Sequence, residues 1–343
     1  MGINTLPKPT ILAQLRGPTL WFVAMGALLS VSCLLSVALG ARLVDMHDVI
    51  GALKGQTATI GEAAVTHRIP RTVLAIVAGA ALGMSGGAMQ GVTRNPLADP
   101  GILGVNAGAS LAIVIAIVWV GTDNAQVYIW TAIFGAGLSA IGVYFIASRG
   151  RGGATPLKLA LAGAATSAAL SSLTTAIILP RSDIAGLVLA WTVGGVGGAT
   201  YDQITPVLPF LLVGTVITLL SARKLNMLAL GDETAAGLGE QVARARAFAA
   251  LGAILLCGGT TAMCGPIGFV GLVVPHICRL LIGVDYRLLL PLCALVGAIL
   301  LTLADITGRL IARPGELDVG IVTAFIGAPV FIWIVRRKRV AAL

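Results

Sequence analysis

Few side chains in this sequence can do chemistry, and most of them sit at the ends of apolar runs. Arg68 and Arg71 flank a proline in RIPR, and Arg309 follows Asp305 by four residues in ADITGR. An arginine at such a place can anchor to a lipid phosphate while its stem stays in apolar surroundings. Asp305 and Arg279 also fall near the ends of apolar runs, where they are expected to reach polar surroundings. Between these points the runs carry almost no ionisable groups, whereas proton- and ion-coupled carriers keep such groups at mid-membrane depth. Energy for any transport must then come from elsewhere, or the protein is a passive channel. No HExxH, GxSxG or GxxxxGK[ST] occurs, so metalloprotease, hydrolase and P-loop nucleotide chemistry are all unsupported. The three histidines are scattered. The five cysteines form no CxxC pair and read as small buried hydrophobes, not metal ligands.

The elements that must position these residues follow from composition. Of 343 residues, 57% are hydrophobic and 11% charged. A soluble domain carries about 25% charged residues. The length therefore divides into membrane spans of about 20 residues, with no cleavable signal peptide ahead of them. Hydropathy gives an all-α membrane protein of ten spans, beginning near Leu20, Thr72, Ile102, Gln126, Leu157, Ile204, Phe248, Phe269, Leu288 and Val319. The glycine-rich stretch 186–200 reads as a short helix or turn. Lys and Arg fall mostly on the side that includes Lys8, Arg16, Arg94, Arg149, Arg151, Lys158, the 221–247 segment and the tail Arg336–Arg339 region. That side is expected to be cytoplasmic, with both termini on it. The net charge of +9 belongs to this inner face, and no nucleic-acid motif accompanies it.

Two local patterns add detail. Gly79, Gly83, Gly87 and Gly91 recur every four residues, which puts all four on one helix face and lets a neighbouring backbone approach. The connection 221–247, SARKLNMLALGDETAAGLGEQVARARA, is too long for a bare linker between bundle helices. Gly231 followed by Asp232 and Glu233 suits a helix start; Gly237 and Gly239 suit its end. Two short helices at the membrane surface are expected. They form either a solvated amphipathic hairpin or a docking element for a cytoplasmic partner.

Five long blocks, in order, resemble the permease family of vitamin B12, haem and ferric-siderophore ABC importers (FecCD-type, type II). They are RIPR at 68–71; GAALGMSGGAMQGVTRNPLADPGILGVNAGAS at 79–110; LALGDETAAGLG at 228–239; CGPIGFVGLVVPHICRLLIGVDYR at 264–287; and LLTLADITGRL with GELDVGIVTAFIGAPVFIW, ending at 333. The resemblance implies a single transmembrane permease domain over 1–343 in the cytoplasmic (inner) membrane. It implies a second permease subunit, identical or homologous, and separate ATPase subunits that bind ATP and Mg. It also implies an extracytoplasmic substrate-binding protein. The family's coupling helices match the 221–247 segment, with Leu230, Gly231, Asp232, Glu233, Ala236 and Gly239 at the ATPase contact. Arginines of RxPR and ADxxxR pair with the binding protein in the family, which carries over to Arg68, Arg71 and Arg309. The central path implies Ser167, Ser171, Ser172 and Thr175 on the fifth span, with Gly327 and Pro329 on the tenth, although ordinary Ser/Thr helix packing accounts for any one of them equally. An uncharged hydroxyl row would suit a large polar cargo that must not bind tightly. The cargo implied is an iron–siderophore complex, with haem or a corrinoid as the alternative; a channel or secondary carrier is the remote one. Two departures stand at loops: Tyr286 where relatives often carry His, and Asp318 before Val319 where Pro is common.

Overall fold

The structure, a computed structural model, describes residues 17–42, 44–121, 125–149 and 155–337. Both termini, and with them Lys8, Arg16, Lys338 and Arg339, lie outside the described residues, as does Arg151. The expected cytoplasmic placement of both termini falls on residues outside those described. Among the described residues the regular elements are helical throughout. They are α1 (Pro18–Ala38), α2 (Met46–Leu53), α3 (Ile60–Thr93), α4 (Val105–Ile115), α5 (Ala125–Ser148), α6 (Pro156–Ile178), α7 (Ser182–Val193), α8 (Tyr201–Ile204), α9 (Leu208–Leu220), α10 (Ala222–Leu228), α11 (Asp232–Gly237), α12 (Val242–Cys264), α13 (Val270–Ile282), α14 (Tyr286–Ile311) and α15 (Val319–Arg337).

The expectation of ten spans does not hold. Among the described residues, six helices are long and apolar enough to cross a membrane (α1, α3, α5, α6, α12 and α14), or seven if α9 and α10, bent by 46° at Ser221, form one span. The other apolar helices are shorter: Val105–Val120, Val270–Ile282 and Val319–Ile332. Hydropathy overcounted because it registers apolar residues and not chain breaks. The run from Ile102 opens in a 3-10 turn (Pro100–Leu103), turns left-handed at Gly104 (φ +69°) and closes in a π-helical turn, Ala116–Val120. The run from Phe269 starts with that residue itself left-handed (φ +67°) and stops at Gly283 (φ +84°).

At the centre is α3, which is buried along most of its length and packed between α14, α12 and α13. It starts at Ile60, twelve residues before the span start expected near Thr72, because Thr59 and Glu62 close a capping box: Glu62 N–H donates to Thr59 Oγ1 (3.0 Å) and Thr59 N–H to Glu62 Oε2 (3.0 Å). The four regularly spaced glycines all meet one neighbour. Gly79 faces the Gly297 carbonyl, Gly83 the Cys293 carbonyl, Gly87 the Leu290 side chain and Gly91 the Tyr286 ring, all on α14. Gly297 in turn lies against the Gly79 carbonyl, so the two backbones touch with nothing between them. In lipid there is no hydrophobic drive to bring helices together, and close backbone packing of this kind replaces it.

A side chain at Gly83 would drive into the Cys293 backbone, whereas one at Gly137 on α5 would meet open space. Gly83→Val should therefore destabilise the protein by at least about 1–3 kcal/mol, the usual cost of overpacking. Gly137→Val should be close to neutral. Melting temperatures of the two variants in the same detergent check this; equal losses would show that the α3–α14 contact is not the tight one.

Candidate functional site

Three groups of residues lie at separate places on this frame. Two of them lie far apart along α3, since Arg71 and Arg94 are separated by 23 residues, or about 35 Å of helix. That distance slightly exceeds the ~30 Å hydrocarbon core of a bilayer.

At the Arg71 end, Asp305 of α14 is completely buried. Arg71 reaches its Oδ1 with Nε (2.9 Å) and Nη2 (2.7 Å) and uses Nη1 on Glu316. Arg309 Nη2 lies 2.8 Å from Asp305 Oδ2, close enough for charge pairing though not aligned as a hydrogen bond. Arg309 is itself 1% exposed. Its other contacts are the Ser36 and Leu39 carbonyls (both 2.9 Å) and Ser36 Oγ (2.8 Å). Arg68 donates to the carbonyls of Val37 (3.1 Å), Ala38 (3.0 Å) and Arg42 (2.7 Å), and Arg313 to that of Gly40. These carbonyls belong to the last turn of α1 and the residues after it. A helix leaves its final carbonyls unpaired and its C-terminus partly negative. Three arginines, Arg68, Arg309 and Arg313, complete that end, although α1 ends without a basic residue of its own. Asp305 does not reach polar surroundings as the sequence suggests; it is the buried anion of this cluster. Lipid anchoring of these arginines does not fit either, because their donors point into the protein.

At the Arg94 end, the two short helices expected within 221–247 are present as α10 and α11. Gly231 adopts φ +108° ahead of α11, and Gly239 φ +87° after it. Leu228 and Ala235 are buried and hold the segment down, while Leu230 and Leu238 are each 62% exposed, together with Glu233, Ala236 and Gly239. Asp232, its side chain 42% exposed, already has partners within the protein. Arg246 of α12 holds both its oxygens (2.9 and 3.0 Å), and Arg94 stands 3.7 Å away. Asn226 of α10 bonds both the Asp285 carboxylate (2.6 Å) and the Tyr286 N–H (2.9 Å), which pins the segment to the start of α14. Tyr286 is buried against Gly91. The other departure, Asp318, puts its carboxylate against Gly195.

The third group lies on α6. Ser167, Ser171 and Thr175 line one hollow of about 430 Å³ with Asn106, Ser110, Thr174 and Thr192. Thr174, Thr175 and Thr192 each spend their hydroxyl hydrogen on a carbonyl of their own helix (2.8–3.0 Å). Asn106 Oδ1 accepts from Thr261 (2.9 Å). Ser172 is exposed on α6 and does not line the hollow. Gly327 is packed on the Phe269 ring, and Pro329 lines a separate apolar groove beside Val193. Sequence reasoning missed Thr174, Ser110 and Asn106. Spacing could have found the first, since 167, 171, 174 and 178 share one helix face.

Fold and site together define the transmembrane part of a multi-pass transporter, with no group of three metal-ligating residues among those described. The family model that matches is the FecCD transport family, over residues 28–337, and the chain belongs to that family. Its relatives include the ferric enterobactin transport system permease protein FepD of Escherichia coli (strain K12), 43% identical over 91% of this chain and 93% of that one. The Fe(3+)-citrate import system permease protein YfmD of Bacillus subtilis (strain 168) is 45% identical over 80% of this chain and 81% of its own length. A solved chain assigned to the metal-chelate type of ABC transporter, in an inward-facing conformation, superposes with a TM-score of 0.81 at 26% identity, covering 93% of this chain and 99% of that one.

Two predictions follow from this geometry. Arg309→Leu strips the Ser36 and Leu39 carbonyls of their arginine and removes one of the two cations paired with Asp305. Breaking a buried pair in this way costs about 3–5 kcal/mol. The variant should melt well below the wild type, and Arg309→Lys should recover only part of the loss because an ammonium cannot span the same acceptors. Unchanged melting would remove the capping role. The second concerns Asp285, whose carboxylate is held below the usual range by the Arg287 N–H and then by Asn226. A depressed carboxylate stabilises above its unfolded value of about 3.9 and loses that contribution as pH falls through the lower folded value. The melting difference between wild type and Asn226→Ala should therefore shrink below about pH 4.

Proposed function

We propose that this chain is the permease subunit of an ATP-binding-cassette importer that carries iron–siderophore complexes inward across the cytoplasmic membrane. Likeness over 91% and 80% of the chain to permeases named for ferric enterobactin and Fe(3+)-citrate carries this reading. The architecture of type II importers goes with the family in general. The finer assignments are ours. ATPase subunits, which bind ATP and Mg, dock on the exposed side of α11 through Leu230, Glu233, Ala236, Leu238 and Gly239. Gly231 sets the turn, and Asp232 holds the helix in place through Arg246. The face carrying α10 and α11 is then cytoplasmic, and 221–247 is a coupling segment within one permease domain.

A second permease subunit faces α6, so that Ser167, Ser171 and Thr175 line a shared path. Apolar α6 is only slightly buried within its own chain, which leaves that side for a partner. The extracytoplasmic binding protein lands on the opposite face, which Arg68, Arg71 and Arg309 organise. Because two of these arginines are buried, their part in docking is to fix the rim, with half-exposed Glu316 at its edge. Bilayer lipid covers the remaining apolar surface.

Uptake of a radiolabelled ferric siderophore into proteoliposomes tests the reading: it should need ATP and the ATPase. Uptake that persists without nucleotide would overturn it. Leu230→Asp with Leu238→Asp should lower ATPase co-purification at least about tenfold, as loss of hot-spot contacts does. Permease melting should stay unchanged, since both side chains are exposed. Full co-purification of that variant would move the docking surface elsewhere.

A further inference from the structure

A second concavity, about 730 Å³, runs between α4, α5 and α6, away from the hydroxyl-lined hollow. Leu111, Ile115, Phe134, Leu138 and Ile146 line it, with Trp130 at one end. Its hydroxyls do not make it polar: Ser139 donates to the Gly104 carbonyl (2.9 Å), and Thr131 to Val127 (2.8 Å) on its own helix. Phe134 and Leu138 remain 70% and 60% exposed, so the groove opens sideways. From Trp130 to Ile146 it follows α5 for about 24 Å. One leaflet of a bilayer core is about 15 Å deep, so an acyl chain can lie in the groove over its full depth.

The two ends differ in chemistry. Trp130 gives one end the amphipathic ring favoured at a membrane interface. At the other, Arg149 follows Gly142 and Ile146 at helical spacing, its guanidinium 4.4 Å over the Phe145 ring. Lys158, in the first turns of α6, brings Nζ to 3.5 Å from the Arg149 carbonyl. Neither α5 nor α6 contains an acidic residue. A convex apolar face is merely wetted by lipid. This one is concave and dry-walled, and Arg149 lies three residues beyond its Ile146 end with Lys158 beside it.

We infer that the groove holds one acyl chain of an anionic phospholipid, with Arg149 and Lys158 on its phosphate. This does not rest on the cargo or on the ATPase assignment. The test is native mass spectrometry of the full-length chain purified from membranes in mild detergent. Phosphatidylglycerol and phosphatidylcholine of the same acyl composition are added in turn. One phosphatidylglycerol should be retained per chain in preference to phosphatidylcholine. Arg149→Gln or Lys158→Gln should each reduce that preference about fivefold, the share of one basic residue at an anionic lipid surface. Gly142 lines the groove and a side chain there meets open space. Gly142→Trp should therefore obstruct the groove, lower retention of both lipids and leave melting unchanged. Equal retention of the two lipids by the wild type, or undiminished retention by Gly142→Trp, overturns the proposal. So does a disulfide crosslink between two copies of Leu138→Cys, which would put a second copy in the groove.

Discussion

The contact of α3 with α14 is the constraint on which the remaining geometry hangs. Gly79 and Gly297 bring the two backbones together, and Gly83, Gly87 and Gly91 continue the contact toward the other end of the helix. Because α3 runs from one face of the protein to the other, this single seam registers both ends at once. Its first half sets Arg71 against Asp305, and its last turn sets Gly91 against Tyr286 and Arg94 beside Asp232. A slide along the seam would disturb the two ends together. Packed interfaces with no soft side chains between them have discrete arrangements and do not deform continuously.

The buried ions at the Arg71 end are costly, and their arrangement explains why they persist. Desolvating several charges is repaid only when geometry is good and the remaining donors are satisfied. Asp305 and Glu316 together do not balance Arg68, Arg71, Arg309 and Arg313. The balance comes from backbone: carbonyls of residues 36–40 and 42 accept from three of the four arginines. The partly negative end of α1 thus acts as the missing counter-charge. It also ties down α1, a helix that buries little of its own apolar surface in the protein.

How much of this the sequence discloses depends on whether the cause is local. The glycine period at 79, 83, 87 and 91 names a helix face outright, and the structure sets all four against α14, with α13 and α10 at its margins. Gly231 and Gly239 likewise mark the ends of α11 because a positive φ is needed there. The number of spans was not legible, since Gly104 and Phe269 turn left-handed inside apolar runs that hydropathy reads as continuous. Nor was the role of Arg309. The i,i+4 spacing from Asp305 announces an ion pair, but the carbonyls of α1 that complete its shell are some 270 residues away in sequence. On α6 the pattern was half legible: Ser167, Ser171 and Thr175 share a face, while Asn106 and Ser110 join them only through the packing of α4 on α6.

That hollow also bears on how an uncharged surface can serve passage. A serine or threonine with its hydrogen free offers a ligand both a donor and acceptors, and a ring of them would hold a polar cargo firmly. Here Thr174, Thr175 and Thr192 give their hydrogens to their own helices, and Asn106 Oδ1 is occupied by Thr261. What these threonines present is lone pairs and methyl groups. Each contact with a solvated complex is then worth little more than the water it replaces, since exchanged hydrogen bonds nearly cancel. On the path proposed for this hollow, selectivity would come from whatever delivers the cargo, and the contribution of these threonines would be to let go.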